Sequence, residues 1–345
     1  MSLILPAARE ARVRAFLEAF AVGDALGMPT EFMTRAEILS GLAGGSGLVE
    51  DFVEPSRSRN HSNLERGRIT DDTEQNLWLL DAWQAKGSVS AENTAKALLA
   101  WVVATGAVEK RYIGPSSMAA LASIEKGADP RTTGLMGRTC GGIMRAPAGV
   151  IFAMAHGLDA GNCVLESCIP THFTSTALEA AFAYARALEQ AFVAARNQAR
   201  PALAEAVLEA ARAGAAEGAA LAPYRMCAPS LAARMAHLAT CMPALGTDNA
   251  LLDFLGDVYG TGLESVDVAA AVFGIFMRAG TDVWLAVRMG ASVGGDTDTI
   301  AALAGGLCAA FAGGHNIPDD KVQLVASINS LDFAGLARRF SAAVI

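Results

Sequence analysis

Apolar residues recur at helical spacing along most of the chain. Val13, Phe16, Leu17 and Phe20 lie three or four positions apart, which predicts an amphipathic helix over residues 7–22. The same periodicity predicts further helices over residues 69–83, 91–105, 148–157, 160–168, 175–199, 201–213, 227–242, 247–258, 265–279, 281–291 and 298–313.

Glycine and proline interrupt this pattern in two places. The segment GDALGMPTEF contains Gly23, Gly27 and Pro29, and it predicts a break directly after the first helix. Residues 106–150 are rich in glycine and are expected to be irregular. The turn PTHFTS, at residues 170–175, leads into an alanine-rich helix.

The composition favours an all-α protein. Hydrophobic residues make up 52% of the 345 positions, which is ample for a sizeable core. Alanine dominates long tracts, whereas runs of Val, Ile, Thr and Tyr are scarce. Alanine is the best helix former, and β-branched residues are enriched in strands, so the balance indicates helices throughout.

Charge and cysteine usage exclude some partners. The formal net charge is −8 without a basic cluster, so nucleic acid is not the expected partner. The six cysteines form no CxxC pair and predict free thiols in the cytoplasm. The uncharged apolar run from Thr299 to Gly314 is shorter than a membrane span, and the N-terminus does not resemble a signal peptide, so no membrane association is expected.

Two clusters of oxygen-bearing side chains precede apolar helices. One is TDDTE at residues 70–74, and the other is GGDTDT at residues 294–299. Helix capping is an alternative explanation for each cluster alone, because Asp and Thr are preferred caps and Asp71 with Glu74 fits a capping box. A cap, however, needs only one or two such residues.

Taken together, the two clusters predict a site for divalent metal ions. Carboxylate and hydroxyl oxygens suit hard cations such as Mg²⁺ and Mn²⁺, whereas Zn²⁺ prefers His and Cys. Adjacent carboxylates repel each other unless a cation lies between them. Helix starts hold side chains rigidly, as a metal site requires.

The order of several motifs resembles that of the ADP-ribosylglycohydrolases. These motifs are GDALGMPTEF at 23–32, TDDT at 70–73, MRAPAG at 144–149, TH at 171–172 and GGDTDTIAALAG at 294–305. The resemblance implies one compact all-α domain over residues 1–345, a multi-helix bundle with a metal-containing cleft that holds two Mg²⁺ or Mn²⁺ ions. By position, the implied metal ligands are Thr70, Asp71, Asp72, Asp296, Asp298 and Thr299. Thr297 is left as a cap or a packing residue.

The resemblance also implies catalytic and substrate-binding residues. Glu31 would assist proton transfer, although a solvated loop carboxylate is its alternative reading, and Asp72 or Asp296 would hold the attacking water. Asp24 is expected to order the site, and His172 is either a nucleotide contact or a structural histidine. The implied substrate side comprises Asp24, Gly141, Gly142, Met144, Arg145, His172, Gly294 and Gly295.

Two departures from the family pattern leave the substrate open. Cys140 and Ser292 stand where the family often has Asn. The expected reaction is hydrolysis at the anomeric carbon of ribose, through an oxocarbenium-like transition state. An ADP-ribosylated protein or a related conjugate is the first substrate expected, a small N-riboside or nucleotide-like metabolite is the second, and a non-catalytic binding or structural protein is a third interpretation. A metal-dependent phosphatase is a weaker alternative.

Overall fold

The computed structural model describes residues 6–193 and 200–342. Seventeen α-helices lie in this part of the chain: α1 (Pro6–Gly27), α2 (Arg35–Gly41), α3 (Asp71–Lys86), α4 (Ala91–Thr105), α5 (Pro115–Glu125), α6 (Pro130–Thr133), α7 (Gly141–His156), α8 (Ala160–Cys168), α9 (Ser175–Val193), α10 (Arg200–Leu221), α11 (Leu231–Cys241), α12 (Asp248–Phe254), α13 (Ser265–Ala279), α14 (Val283–Ser292), α15 (Thr297–Ala312), α16 (Asp319–Ile328) and α17 (Phe333–Ser341). Single turns of 3₁₀-helix and one π-helical turn, Leu255–Tyr259, connect some of them. Among the described residues only isolated β-bridges occur, so the all-α prediction is confirmed.

The centre of the molecule is the contact between α1 and α15. Every residue of α15 from Thr297 to Phe311 is buried. A Cβ atom on Gly23 would lie 2.4 Å from the carbonyl oxygen of Ala301, and one on Gly27 would lie 2.4 Å from that of Thr297. The predicted break after residue 22 is therefore wrong: α1 continues to Gly27, because its glycines let the two helix backbones touch.

The expectation of irregular chain over residues 106–150 is also wrong, since α5, α6 and most of α7 lie there. Pro147 lies inside α7 and has no N–H to donate. The Asn76 side chain of α3 donates to the carbonyl oxygen of Met144 (2.7 Å) and accepts from the N–H of Ala148 (2.9 Å). Contact with α3 thus satisfies backbone groups next to the proline, which local sequence rules could not show.

Several other boundaries differ from the prediction. Helix α10 ends at Leu221 instead of residue 213, and α2, α16 and α17 were not predicted. Helix α9 is described from Ser175 to Val193, and the rest of its predicted span, residues 194–199, lies outside the described residues. None of the six cysteines forms a disulfide, as expected. No helix in the described part of the chain is both long and apolar enough to cross a membrane.

Candidate active site

A partly open cavity of about 260 Å³ lies where the N-terminal ends of four helices meet. Helices α3, α5, α7 and α15 all begin at its wall. The partial positive charge of a helix N-terminus stabilises nearby anions, which helps to explain why carboxylates collect here. The wall consists of Glu31, Phe32, Asn60, His61, Asp71, Asp72, Arg111, Tyr112, Ile113, Gly114, Pro115, Ser117, Thr139, Cys140, Gly141, Met144, Leu263, Asp296, Asp298 and Thr299.

Asp24 caps α3 from the end of α1. Its carboxylate accepts hydrogen bonds from the N–H and hydroxyl of Thr70 (3.0 and 2.7 Å) and from those of Thr73 (3.1 and 2.5 Å). Asp24 is fully buried and does not line the cavity. These hydrogen bonds order the start of α3, and a contact of Asp24 with substrate stays a prediction. No side-chain hydrogen bond from Thr70 caps the helix. Asp71 and Asp72 therefore face the cavity, while Thr70 lies behind the wall.

The two acidic clusters meet through a direct hydrogen bond. The hydroxyl of Thr299 donates to Oδ2 of Asp72 (3.2 Å), and the N–H of Thr299 donates to Oδ1 of Asp298 (3.0 Å). Asp296 is the N-cap residue of α15 by position, but its side chain makes no capping hydrogen bond. Thr297 instead packs against α1, where its hydroxyl donates to the carbonyl oxygen of Gly27 (2.9 Å).

Buried carboxylate oxygens in the cavity wall are left without partners. Oδ1 of Asp72 and Oδ2 of Asp296 accept no hydrogen bond from the described residues, although both side chains are at least 97% buried. One oxygen each from Asp24, Asp72 and Asp298 lies within 4.8 Å of the others. An unpaired buried oxygen is costly, so the free oxygens of Asp72 and Asp296 fit ligands for a hard divalent cation, whereas both oxygens of Asp24 already accept hydrogen bonds.

The protonation of the cluster supports the same conclusion. Burial is the main cause that raises the pKa of Asp72 well above its usual range, and the negative charges of Asp71, Asp24 and Asp296 act in the same direction. Burial, then the charge of Glu31, acts in the same direction on the pKa of Asp298. Burial raises the pKa of Asp296 to about 6. Repulsion of this kind is relieved when a cation lies between the carboxylates.

Glu31 and His61 face each other in the cavity wall. Oε2 of Glu31 lies 2.6 Å from Nε2 of His61, and the two side chains are 10% and 3% exposed. The sequence did not single out His61, because a lone histidine in the polar segment before α3 carries no spacing signal. One ligand atom each from Glu31, His61 and Asp298 lies within 4.8 Å of the others.

Phe32 and Arg111 line the cavity with unusual backbone conformations. Both have a φ of 58°, in the left-handed region that non-glycine residues seldom adopt. Such strained residues often cluster at ligand-binding sites. Arg111 is exposed and is the only Lys or Arg side chain in the wall. Sequence patterns could not find either residue, because the strain exists only in the folded chain.

Main-chain hydrogen bonds fix the wall around Asp296. Gly295 accepts from the N–H of Phe32 (2.7 Å), and the N–H of Asp296 donates to the carbonyl oxygen of Thr261 (2.7 Å). Gly295 has a φ of 78°, and a Cβ there would lie 2.0 Å from the same carbonyl oxygen. Gly294 and Gly295 thus lie behind the wall, and their contact with substrate stays a prediction.

The predicted substrate-binding residues at the start of α7 are divided between the cavity wall and the layer behind it. Cys140, Gly141 and Met144 line the cavity, and the N–H of Cys140 donates to the carbonyl oxygen of Leu263 (2.8 Å). Gly142 packs against His172 behind the wall. Ser292 is also outside the wall, where its hydroxyl accepts from the N–H of Val49 (2.8 Å).

Arg145 and His172 form a buried network behind the cavity. Arg145 donates to the hydroxyl of Thr171 (2.6 Å) and to the side-chain carbonyl of Gln75 (3.3 Å), and Gln75 donates to Asp71 (3.2 Å). Burial lowers the pKa of His172 well below its usual range, so its ring is neutral. Both side chains are completely buried, and a direct contact with substrate stays a prediction for each.

The fold and site define an all-α protein with buried acidic and histidine side chains that could hold metal ions. The chain belongs to the ADP-ribosylglycohydrolase family, whose sequence model matches residues 5–344. It is 29% identical over 328 residues to the uncharacterised protein YegU of Escherichia coli strain K12, which covers 93% of this chain and 94% of the relative.

Two further proteins are similar to this chain. An uncharacterised protein of Archaeoglobus fulgidus is 32% identical over 180 residues, which is 52% of this chain and 55% of the relative. A solved structure titled ADP-ribosylglycohydrolase-related protein complex shares the fold, with a TM-score of 0.65, 24% identity and coverage of 98% of this chain and 99% of the other. The family membership supports a glycohydrolase-like enzyme.

Proposed function

We propose that the protein is a cation-dependent hydrolase that cleaves a glycosidic bond at the anomeric carbon of ribose, releasing ADP-ribose from a modified protein side chain or a related conjugate. The observation that carries the proposal is the meeting of the two acidic clusters in one cavity, joined by the hydrogen bond from Thr299 to Asp72. Family membership gives the reaction class.

The cavity wall offers ligands for two Mg²⁺ or Mn²⁺ ions. The proposed ligands are Thr70, Asp71, Asp72, Asp296, Asp298 and Thr299. Of these, Thr70 lies behind the wall, and its hydroxyl donates to Asp24. When bound, the cations would orient the ribose hydroxyls and lower the pKa of a nearby water.

The chain's own carboxylates supply the proton transfers. Oδ2 of Asp296 is free to accept a hydrogen bond from a water that approaches the anomeric carbon. As the bond to the leaving group breaks, that group needs a proton, and Glu31 is the buried carboxyl group in the wall that lies outside this set of six ligands. Oδ1 of Asp72 is equally free to hold this water, so the sequence-based assignment of Glu31, Asp72 and Asp296 as catalytic residues remains our proposal.

Two helix N-termini supply groups that would bind the phosphates of the substrate. The first residues of α5 and α7 line the cavity, and a helix N-terminus is a favourable place for a phosphate group. Arg111 offers the one fixed positive charge in the wall. Together these groups suit an anionic substrate such as an ADP-ribosyl conjugate.

The size of the cavity favours a smaller riboside as the second candidate. Ligand pockets usually measure about 300–1,000 Å³, and this cavity measures about 260 Å³. The enclosed space suits a sugar and its immediate substituents, and the remainder of a larger substrate would extend through the open side. Cys140 lines the cavity where the family often has Asn. A thiol offers a substrate fewer hydrogen-bonding groups than the amide of Asn does.

The test is product release from a defined panel of substrates. Arginine- and serine-ADP-ribosylated peptides and simple ribosides are incubated with the protein and Mg²⁺ or Mn²⁺, and free ADP-ribose, base or ribose is measured. An Asp298→Asn variant purified in the same way controls for contaminating hydrolases. Cation-dependent release of ADP-ribose that the variant lacks supports the proposal, and cleavage of small ribosides alone supports the second candidate. No cleavage of any substrate would favour a non-catalytic protein.

A further inference from the structure

The contact between Glu31 and His61 does not have the geometry of a hydrogen bond. Nε2 and Oε2 are 2.6 Å apart, yet Oε2 of Glu31 accepts no hydrogen bond from the described residues. A protonated histidine paired with a carboxylate normally points its N–H at the oxygen. Here the two atoms are close without a hydrogen bond between them, an arrangement that a cation bound to both would explain.

A third ligand is present at the same place. One carboxylate oxygen of Asp298 lies within 4.8 Å of the ligand atoms of Glu31 and His61, and all three residues are buried. The Nδ1 atom of His61 also has no partner. The three side chains come from α15 and from two separate segments, one after α1 and one before α3, so the arrangement is a product of the fold.

We propose that His61 supplies a nitrogen ligand to a divalent cation held with Glu31 and Asp298, and that this ligand makes the site select a transition-metal ion over Mg²⁺. Imidazole suits Mn²⁺, Fe²⁺, Co²⁺ and Zn²⁺ better than it suits Mg²⁺, which prefers oxygen ligands. The proposal rests on the proposed function in placing a cation in this cavity. It makes Glu31 a cation ligand in the substrate-free protein, so Glu31 must leave the cation before it transfers a proton to the leaving group.

The surroundings hold the imidazole in place. The ring packs edge-on against Tyr112, with 5.6 Å between ring centroids, and the backbone N–H of His61 donates to the hydroxyl of Ser58 (3.0 Å). Tyr112 is fixed in turn, because its hydroxyl donates to the carbonyl oxygen of Ile69 (3.2 Å). A ligand that is already oriented loses little conformational freedom when it binds a cation.

No other histidine is placed to supply this nitrogen. His61 is the only one of the five histidines in the wall. His172 lies behind the wall, and both of its ring nitrogens form hydrogen bonds, one with the hydroxyl of Thr139 (2.9 Å) and one with the hydroxyl of Thr171 (2.8 Å). A nitrogen signal from a bound cation would therefore report on His61.

Pulsed electron paramagnetic resonance of the Mn²⁺-loaded protein tests the proposal directly. We expect nitrogen hyperfine coupling in the wild-type spectrum, its change on isotopic labelling of histidine, and its loss in His61→Gln. The matched control is His315→Gln, because His315 also contacts a carboxylate, that of Glu18 at 2.9 Å, but lies outside the cavity. The control variant should keep the coupling.

Calorimetric titration supplies the second measurement. Removal of a residue that hydrogen-bonds to a metal ligand typically lowers metal affinity about 10–100-fold. Removal of the ligand itself, in His61→Gln, should lower the Mn²⁺ and Co²⁺ affinity by at least as much, while the Mg²⁺ affinity changes little. Circular dichroism of the cation-free variant establishes that it is folded. If it does not fold, the labelled wild-type spectrum decides.

Two results would overturn the proposal: a Mn²⁺ spectrum without histidine coupling in the wild type, or a coupling that persists in folded His61→Gln. Neither depends on turnover. A protein that binds Mn²⁺ through His61 but cleaves no riboside would retain this inference and lose the proposed function. A protein that cleaves a riboside, and whose preference for Mg²⁺ is the same in the wild type and in His61→Gln, would retain the proposed function and lose this inference.

Discussion

The aspartates in the cavity wall and directly behind it have different roles. Asp24 is saturated by four hydrogen bonds, whereas Asp72 and Asp296 each keep an unpaired buried oxygen. The motifs identified all three carboxylates, but only the fold separates the cap from the potential ligands, because the end of α1 lies against the start of α3. His61 escaped the sequence analysis altogether, since no neighbouring residue marks it.

At this scale, Glu31→Gln should remove activity without unfolding the protein. The amide keeps the size of the side chain but cannot transfer a proton, so kcat should fall by about 10²–10⁴-fold. Tm should change little. Steady-state kinetics and a thermal melt check both. Glu54→Gln is the matched control, because Glu54 is exposed and outside the cavity, and equal kcat values for the two variants would contradict a catalytic role for Glu31.

The elements show where local sequence rules succeed and where they fail. The periodicity located α4, α13 and α15 closely, because each has a continuous apolar pattern. It misread the glycines of α1 as a break, since glycine propensity is local and the close contact with α15 is not. The start of α7 was missed for the same reason: the side chain that bridges the backbone beside Pro147 belongs to another helix.

The helix contact makes Gly27→Ala a sharp test of the fold. A Cβ on Gly27 would lie 2.4 Å from the carbonyl oxygen of Thr297 and 2.6 Å from Cα of Asp298, so α15 must shift. We expect a loss of about 1–3 kcal/mol in the free energy of unfolding, measured by urea denaturation. We also expect weaker Mn²⁺ binding, because Asp298 moves with the helix.

The control for this substitution is Gly45→Ala. No atom lies within 4 Å of a Cβ at Gly45, and its backbone is not left-handed. Its free energy of unfolding should change by less than about 0.5 kcal/mol, as at other open surface positions. Equal stability of the two variants would show that α1 and α15 do not touch as described.

At the scale of the molecule, the cavity brings an unusual concentration of carboxylates into the interior. The sequence predicted helices, two acidic clusters and the family resemblance. It could not predict that four helix N-termini would converge on those clusters, because no one helix carries information about the direction of the others. That convergence depends on packing between segments far apart in the chain, such as α3 and α15.

Removal of divalent cations should make stability depend on pH in a defined direction. Burial raises the pKa of Asp24 and of Asp296 to about 6, from 3.8, and acts in the same direction on Asp72 and Asp298. The folded state thus binds these protons more tightly than the unfolded chain does, so their contribution to stability falls as pH rises above about 4 and through the folded values.

We therefore expect the Tm of chelated protein to fall between about pH 5 and about pH 7, and Mn²⁺ to restore it more strongly at the higher pH. Differential scanning calorimetry with and without chelator measures both effects. Asp72→Asn removes one of the titrating groups and should flatten the pH dependence. A chelated protein that becomes more stable over this range, with the same slope in the variant, would contradict the assignment.

The cavity wall is joined by main-chain groups: Phe32 to Gly295, Asp296 to Thr261, and Cys140 to Leu263. None of these bonds requires a particular side chain from Phe32, Cys140 or Leu263. Evolution can therefore vary what those positions present to a bound molecule while the carboxylates keep their places. A scaffold of this kind is well suited to acquiring new specificities by single substitutions, in nature or in a directed-evolution experiment.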